Sequence, residues 1–399
     1  MASETAGEVS AARKPERPPP WNDPAVRGVV FQILFVAAIV ALGGFLVHNT
    51  LNNLAKQNIA TGFGFLGREA AFGIGESLIA YSPADTYARA FLVGLTNTLY
   101  VAALGIVLAT ILGTVMGLAR LSSNWLVAKL AQIYVETFRN IPLALQLFFW
   151  WGLLRGSAPA PRQAWQPIPD VFVSNRGICF PVPHEDPAHF WMLAALVVAI
   201  AAFWAISRWA RRRQARTGQQ FSSGWVGLAL IVGLPLAVFL AAGMPLRLDV
   251  PALHGFNFTG GSSFSPEFAA LLTGLVVYTG SFIAEIVRAG ILAVSWGQSE
   301  AAMALGLTPW QRMRLIVLPQ ALRVIIPPMT SQYLSLTKNS SLAVIIGYPD
   351  LVSVANTTIN QTGQAVEGIT MIMAVYLAIS LLISLVMNLY NRAVALVER

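Results

Sequence analysis

The chain has 399 residues, of which 56% are hydrophobic and only 11% charged, a balance too apolar to give a water-soluble domain of this length a solvated surface. Its formal net charge of +8 sits in clusters beside apolar runs, so it reads as membrane topology and contact with membrane lipid, and no nucleic-acid surface is expected. Cys179 is the single cysteine, which rules out an intrachain disulfide.

In chain order, residues 1–28 hold Pro15 and Pro18 to Pro20 among charges and are predicted to be a disordered cytoplasmic tail. A bilayer crossing takes about 20 mostly apolar residues. The uncharged runs at 29–47, 91–119, 190–207, 225–244 and 369–391 meet that length. Those at 133–154, 267–290 and 322–347 meet it with a few polar or ionisable residues inside, which makes about eight spans. The first run lacks a small-residue cleavage pattern and is read as a retained helix, forming with its outer loop residues 29–86.

Basic residues then orient the spans, because loops on the cytoplasmic side are enriched in Lys and Arg. With the N-terminus inside, the inner segments hold Arg120 and Lys129, the cluster Arg208, Arg211, Arg212, Arg213 and Arg216, Arg312 and Arg314, and basic residues near both termini. The longer outer segments hold fewer, namely Lys56, Arg68, Arg155, Arg162, Arg176 and Arg247. Both termini are therefore expected in the cytoplasm. Residues 87–154 and 266–399 read as two parts of a working core. Residues 155–265 between them read as an insertion whose helical hairpin turns at the Arg211 cluster, with loops packed on the outer face.

Residues 299–319, SEAAMALGLTPWQRMRLIVLP, fall on the inner side. Ser299 is predicted to cap a short helix, Glu300 to favour its positive end, and the Ala-rich run to propagate it. Gly306 can end that helix in a left-handed turn, and Thr308, Pro309 and Gln311 form a capping box that starts the next. The bilayer requires no such helix, turn and helix at its surface; a soluble partner could grip it.

The pattern Glu300-Ala301-Ala302, Gly306 after three residues, and Ile316-x-Leu318-Pro319 after nine more resembles the EAA loop of ABC importer permeases. Further stretches resemble the polar amino acid branch of that family: Asn97-Thr98-Leu99, Tyr134-Val135-Glu136-x-Phe138-Arg139-Asn140-x-Pro142-Leu143, Gln146-Leu147-Phe148-Phe149, and Ala284-Glu285-Ile286-Val287-Arg288-Ala289-Gly290. The resemblance covers 87–154 and 264–391, close to half the chain. The extra first helix and the inserted hairpin resemble the longer Q-type permeases of general L-amino-acid importers.

This resemblance implies an all-α integral membrane protein of the type I ABC importer permease fold, in a bacterial inner membrane, with a cytoplasmic coupling helix. Glu300, Ala301, Ala302, Gly306, Leu307 and Pro309 would then form the contact with the ATPase. It also implies a second permease subunit, two copies of an ABC ATPase subunit carrying ATP and Mg, a periplasmic amino acid binding protein, and an L-amino acid substrate moved by alternating access.

The residues themselves agree with a transport subunit. ATP chemistry needs a Gly-rich loop whose Lys reaches the phosphates, and none of the four lysines ends a G-x-x-x-x-G-K loop, so ATP hydrolysis falls to another chain. His184, Glu185 and His189 have the wrong spacing for a zinc helix and lie among Pro183 and Pro187, so no metal site is expected. No nucleophile and base stand together, and no enzymatic step is expected.

Ionisable and polar groups at membrane depth mark a pathway or a buried pair. Glu285 pairs with Arg288 one turn away or meets substrate. Lys338, Asn339, Ser340 and Ser341 offer donors and acceptors to an amino acid, or serve as glue between helices. Asn97, Thr98 and Gln146 are similar candidates. The rival class, an ion-gradient-driven secondary amino acid transporter, would show carboxylates or broken helices paired across internal repeats, and no repeat is found.

Overall fold

A computed structural model of the chain describes residues 19, 21, 23–57, 60–184, 186–244 and 247–394. Most of the expected N-terminal tail lies outside the described residues, as does Glu185. Twelve α-helices follow one another: α1 (Pro24–Lys56), α2 (Tyr87–Ala119), α3 (Trp125–Asn140), α4 (Leu143–Gly152), α5 (Pro187–Thr217) and α6 (Ser223–Ala241). After the insertion come α7 (Pro266–Leu292), α8 (Trp296–Ala304), α9 (Pro309–Arg312), α10 (Leu318–Asn339), α11 (Leu351–Thr362) and α12 (Ala365–Val394).

Side-chain caps set many of the starts. Thr86 accepts from Arg89 N, Asn124 from Leu126 and Val127 N, Asp186 from Ala188 N, Ser265 from Phe268 N, and Asp350 from Ser353 N. Each satisfies backbone donors that the first helical turn leaves unpaired.

Six of these helices, α1, α2, α5, α6, α7 and α12, are each long and apolar enough to cross a membrane. A seventh crossing runs from α9 through α10 and a 3-10 turn (Ser340–Ile346) into α11, bent by 52°. The run predicted as a single span over 133–154 is broken instead: α3 ends at Asn140, Pro142 lacks the donor that would continue it, and α4 begins at Leu143. The two pieces still follow α7 along most of its length. The Tyr134 hydroxyl donates to Val277 O (2.8 Å), and the indole of Trp151 reaches Glu267 at 3.2 Å. Six or seven candidate crossings therefore stand where about eight were expected, the run at 133–154 giving two shorter helices instead of one span.

The core forms where α2 lies on α7, α10 and α11, and its glycines allow the approach. A Cβ on Gly113 would stand 2.6 Å from Ile283, one on Gly117 2.7 Å from Ala284 O, and one on Gly94 2.9 Å from the Leu351 Cα. Small residues of this kind are what let helices pack closely in lipid. Val101, Leu147, Phe268, Leu271, Leu275 and Tyr348 fill the space towards α4, and Ile283, Val287, Ile325 and Leu336 the space towards α10.

The inserted segment departs from an all-helical chain. The strands are β1 (Trp165–Ile168), β2 (Val171–Ser174), β3 (Gly177–Phe180), β4 (Val182–Pro183), β5 (Leu248–Asp249), β6 (Ala252–His254), β7 (Asn257–Thr259) and β8 (Ser262–Phe264). An antiparallel sheet of order β1-β2-β3-β8 pairs Ile178 with Phe264, so the two ends of the insertion close on each other beside the start of α7. Strands of two to four residues are too short to show a period-two pattern, which is why they read as loops. Within the insertion α5 packs on α6, with Phe203 over Gly227, while α1 has none of its apolar window buried.

Candidate functional site

At the end of the bundle expected to face the cytoplasm, α8 begins at Trp296 with Ser295 at its N-cap, four residues before the predicted start. Ser299 therefore lies inside the helix, buried, and does not cap it. The rest of the segment is as its residues dictate. Gly306 takes φ 73°, with its amide on Met303 O (2.9 Å) and that of Leu307 on Ala302 O (3.1 Å). Thr308 and Gln311 cap each other around α9. Ala302, at 2% exposure, faces its own chain, whereas Glu300, Ala301 and Pro309 face outward and Leu307 is half-buried. Around them Trp296, Leu305 at 81% exposure and Trp310 form an uncovered apolar surface.

Behind α8, Glu285 joins two helices to one carboxylate. It accepts from Arg288 at 2.7 Å, one turn along α7, and from Arg120 at the C-cap of α2. Sequence spacing foresees the first partner only, since Arg120 stands 165 residues away.

Halfway along the bundle two helices are interrupted. Leu336 abuts Gly105 near the middle of α2, which puts the end of α10 and the 3-10 turn at mid-depth. There Lys338 is exposed and its ammonium group has no polar partner among the described residues; Asn339 is half-buried. The Ser340 hydroxyl donates to Thr337 O (2.8 Å) and that of Ser341 to Lys338 O (2.6 Å), capping carbonyls that the end of α10 releases.

The second interruption is the α3–α4 break, where Glu136, Arg139 and Asn140 are exposed and the Arg139 guanidinium lies 5.0 Å from the Phe282 ring centre. Sequence reasoning passed over these three as members of a motif. The charges of Glu136 and Arg139 inside an apolar run were the available signal.

The other candidates are buried and bonded to backbone. Asn97 Nδ2 donates to Glu76 O (2.8 Å) and Pro349 O (2.9 Å), and Thr98 Oγ1 accepts from Leu351 N (3.0 Å) while donating to Gly94 O. Gln146 Nε2 donates to Phe138 O and Ile141 O, both at 2.9 Å, serving carbonyls freed by the break at Pro142. All three are buried and hold backbone groups of neighbouring segments.

At the opposite end of the bundle a cavity of about 350 Å³ lies between the loop at Gly73 to Glu76, the start of α7 and the start of α11. Ser265 donates to the Glu76 carboxylate, and Glu267 stands near it. Burial pushes the Glu76 carboxyl above its ordinary value, the Ser265 hydroxyl pulls it back, and the Glu267 charge raises it further. The described residues contain no group of His, Cys, Asp and Glu able to hold a metal ion.

Residues 225–396 match the family described as binding-protein-dependent transport system inner membrane component. The chain is 53% identical over 377 residues to the general L-amino acid transport system permease protein AapQ of Rhizobium johnstonii, covering 94% of each chain. It is also 53% identical over 380 residues to the putative amino-acid ABC transporter permease protein YhdX of Escherichia coli, covering 95% of this chain and 97% of that one. A third relative is the glutamate/glutamine/aspartate/asparagine transport system permease protein BztB of Rhodobacter capsulatus, 42% identical over 404 residues and 93% of each chain. Matches of that extent take in the inserted hairpin and its sheet as well as the core. This chain belongs to the inner membrane components of binding-protein-dependent transport systems.

Proposed function

We propose that the chain is a membrane-spanning permease subunit of an ATP-driven importer of L-amino acids, paired with a second permease subunit. Two copies of an ATPase subunit hold ATP and Mg on the cytoplasmic side, and a periplasmic binding protein delivers the amino acid. The chain itself carries out no covalent step. The observation that carries this reading is the uncovered surface of Glu300, Ala301, Leu305 and Trp310 around the Gly306 turn, backed by the buried Ala302. A turn anchored inward and apolar outward suits transmission of force from a soluble partner into α7 and α10.

The excess of basic residues at the α8 end supports placing that end, with both termini, in the cytoplasm of a bacterial cell. The insertion sheet then stands outside, where it suits docking of the binding protein or the second permease. The path is assigned to the two mid-depth interruptions. A charge exposed at that depth must face water or protein rather than hydrocarbon, and Lys338, Glu136 and Arg139 meet that condition, with the polar, half-buried Asn339 beside Lys338. Irregular backbone at membrane depth is likewise tolerated where it lines a cavity. Glu285 is assigned to bracing the inner end, and Asn97, Thr98 and Gln146 to holding the interrupted helices in place.

Reconstitution of the full complex in vesicles tests this reading. Uptake of labelled amino acid should require ATP, and Leu305→Asp should abolish ATPase association. Lys338→Met should lower uptake at least tenfold with assembly intact. Uptake driven by an ion gradient with no ATPase present would overturn the function, and full uptake by Lys338→Met would remove that residue from the path.

A further inference from the structure

A recess of about 250 Å³ opens at the inner end of the bundle between α2, α3 and α7, lined by Arg120, Trp125, Ala128, Lys129, Gln132 and Arg288. Each of the three helices contributes one cation. Glu285 accepts from Arg120 and Arg288, and Lys129 has no partner among the described residues, so one carboxylate faces three positive charges. The two guanidiniums are already held in place by Glu285, so little side-chain freedom remains to be lost when an anion binds. Membrane topology accounts for basic residues at this end, but not for the convergence of three of them on one recess.

The surroundings select the anion. Below the recess α3 turns Leu126, Leu130 and Ile133 outward, each more than half exposed, and Trp125 is 74% exposed at its rim. Apolar side chains bare at the end of a membrane-crossing segment meet acyl chains, and tryptophan collects at headgroup level. An acidic segment of a soluble protein would supply negative charge but nothing to cover that apolar strip. Basic pockets between helices on the cytoplasmic side suit anionic headgroups, and arginine binds phosphate oxygens in a forked geometry.

We infer that this recess binds the phosphate of an anionic phospholipid, with Lys129, Arg120 and Arg288 around the headgroup and the acyl chains along Leu126, Leu130 and Ile133. A phosphate held by one cation from each of three helices fastens the inner ends of α2, α3 and α7 together, adding to the link that Glu285 makes between two of them.

The test uses the purified transporter complex, stripped in detergent and titrated with phosphatidylglycerol or phosphatidylethanolamine, with bound lipid counted by native mass spectrometry. Phosphatidylglycerol should survive washing that removes phosphatidylethanolamine. Lys129→Gln should weaken its retention about fivefold, and Lys129→Arg should restore it. The thermal midpoint of lipid-free Lys129→Gln should match the parent, since this side chain is exposed. Equal loss of the two lipids from the parent complex overturns the proposal, as does unchanged retention in Lys129→Gln. Displacement of phosphatidylglycerol by millimolar inorganic phosphate would identify a site for free anions and reject the lipid. Retention only when the ATPase is absent would assign the recess to that partner and reject it equally.

Discussion

The amide of Leu351 donates to the Thr98 hydroxyl at 3.0 Å, joining the first residue of α11 to α2 across 253 residues of chain. Both groups are buried, so the bond has no water to replace it. Thr98→Val should leave that amide without an acceptor and lower stability by about 1–3 kcal/mol. Thr98→Ser keeps the hydroxyl, loses one methyl, and should lower it by about 1 kcal/mol. Thermal unfolding of the two variants in detergent checks the order; equal loss in both would show that packing, and not the hydrogen bond, matters here.

Gly306 stands at φ 73° with open space where a Cβ would go, so a substitution there meets strain without a clash. Gly306→Val should raise the local energy by about 1–2 kcal/mol and misdirect Leu305. Gly306→Asn, which tolerates a left-handed backbone, should be nearly silent. Copurification of the ATPase reads the difference. Normal recovery with Gly306→Val would mean the turn has no part in coupling.

The assigned topology can be read with cysteine chemistry, because Cys179 is the single cysteine and is buried in β3. In a Cys179→Ser background, Phe256→Cys in the loop of the β6–β7 hairpin should react with an impermeant maleimide added outside intact cells. Trp310→Cys at the α9 start should react only after the membrane is opened. Reversal of either result inverts the assignment of sides.

Glu76 supplies a pH dependence. Its carboxyl is held above the ordinary value of 4.5, so the folded state favours the protonated form. Its contribution is fully present below that ordinary value and is lost as pH rises through the raised one. Glu76→Gln, a neutral group still able to accept from Ser265, should raise the thermal midpoint at neutral pH and flatten its decline with pH. A decline as steep as in the parent would place the titrating group elsewhere.

Short-range chemistry was readable in the chain; long-range closure was not. Thr308, Pro309, Gln311 and Gly306 act on neighbours within a few residues, and their roles follow from residue type alone. Ser295 and Ser299 could each cap α8, and the choice falls to tertiary packing that buries Ser299 and Ala302. A polar side chain at membrane depth looks the same in sequence whether it lines a path or braces a helix. Asn97 became a brace because Pro349, 252 residues on, carries its acceptor, and Gln146 because Pro142 breaks the helix before it. The apolar run at 133–154 has the length of a crossing, and only the loss of one amide at Pro142 divides it.

The glycine contacts of α2 fix this helix to its neighbours at several levels. Gly94 bears on α11 near the outer end, Gly105 on Leu336 at the middle, and Arg120 is tied to Glu285 at the inner end. At 1.5 Å per residue Gly105 stands about 17 Å from the Gly94 contact and about 23 Å from Arg120. With Gly113 and Gly117 also seated on Ile283 and Ala284 of α7, α2 has no free arm, so a displacement at α11 is carried towards α8 by α2 and α7 together.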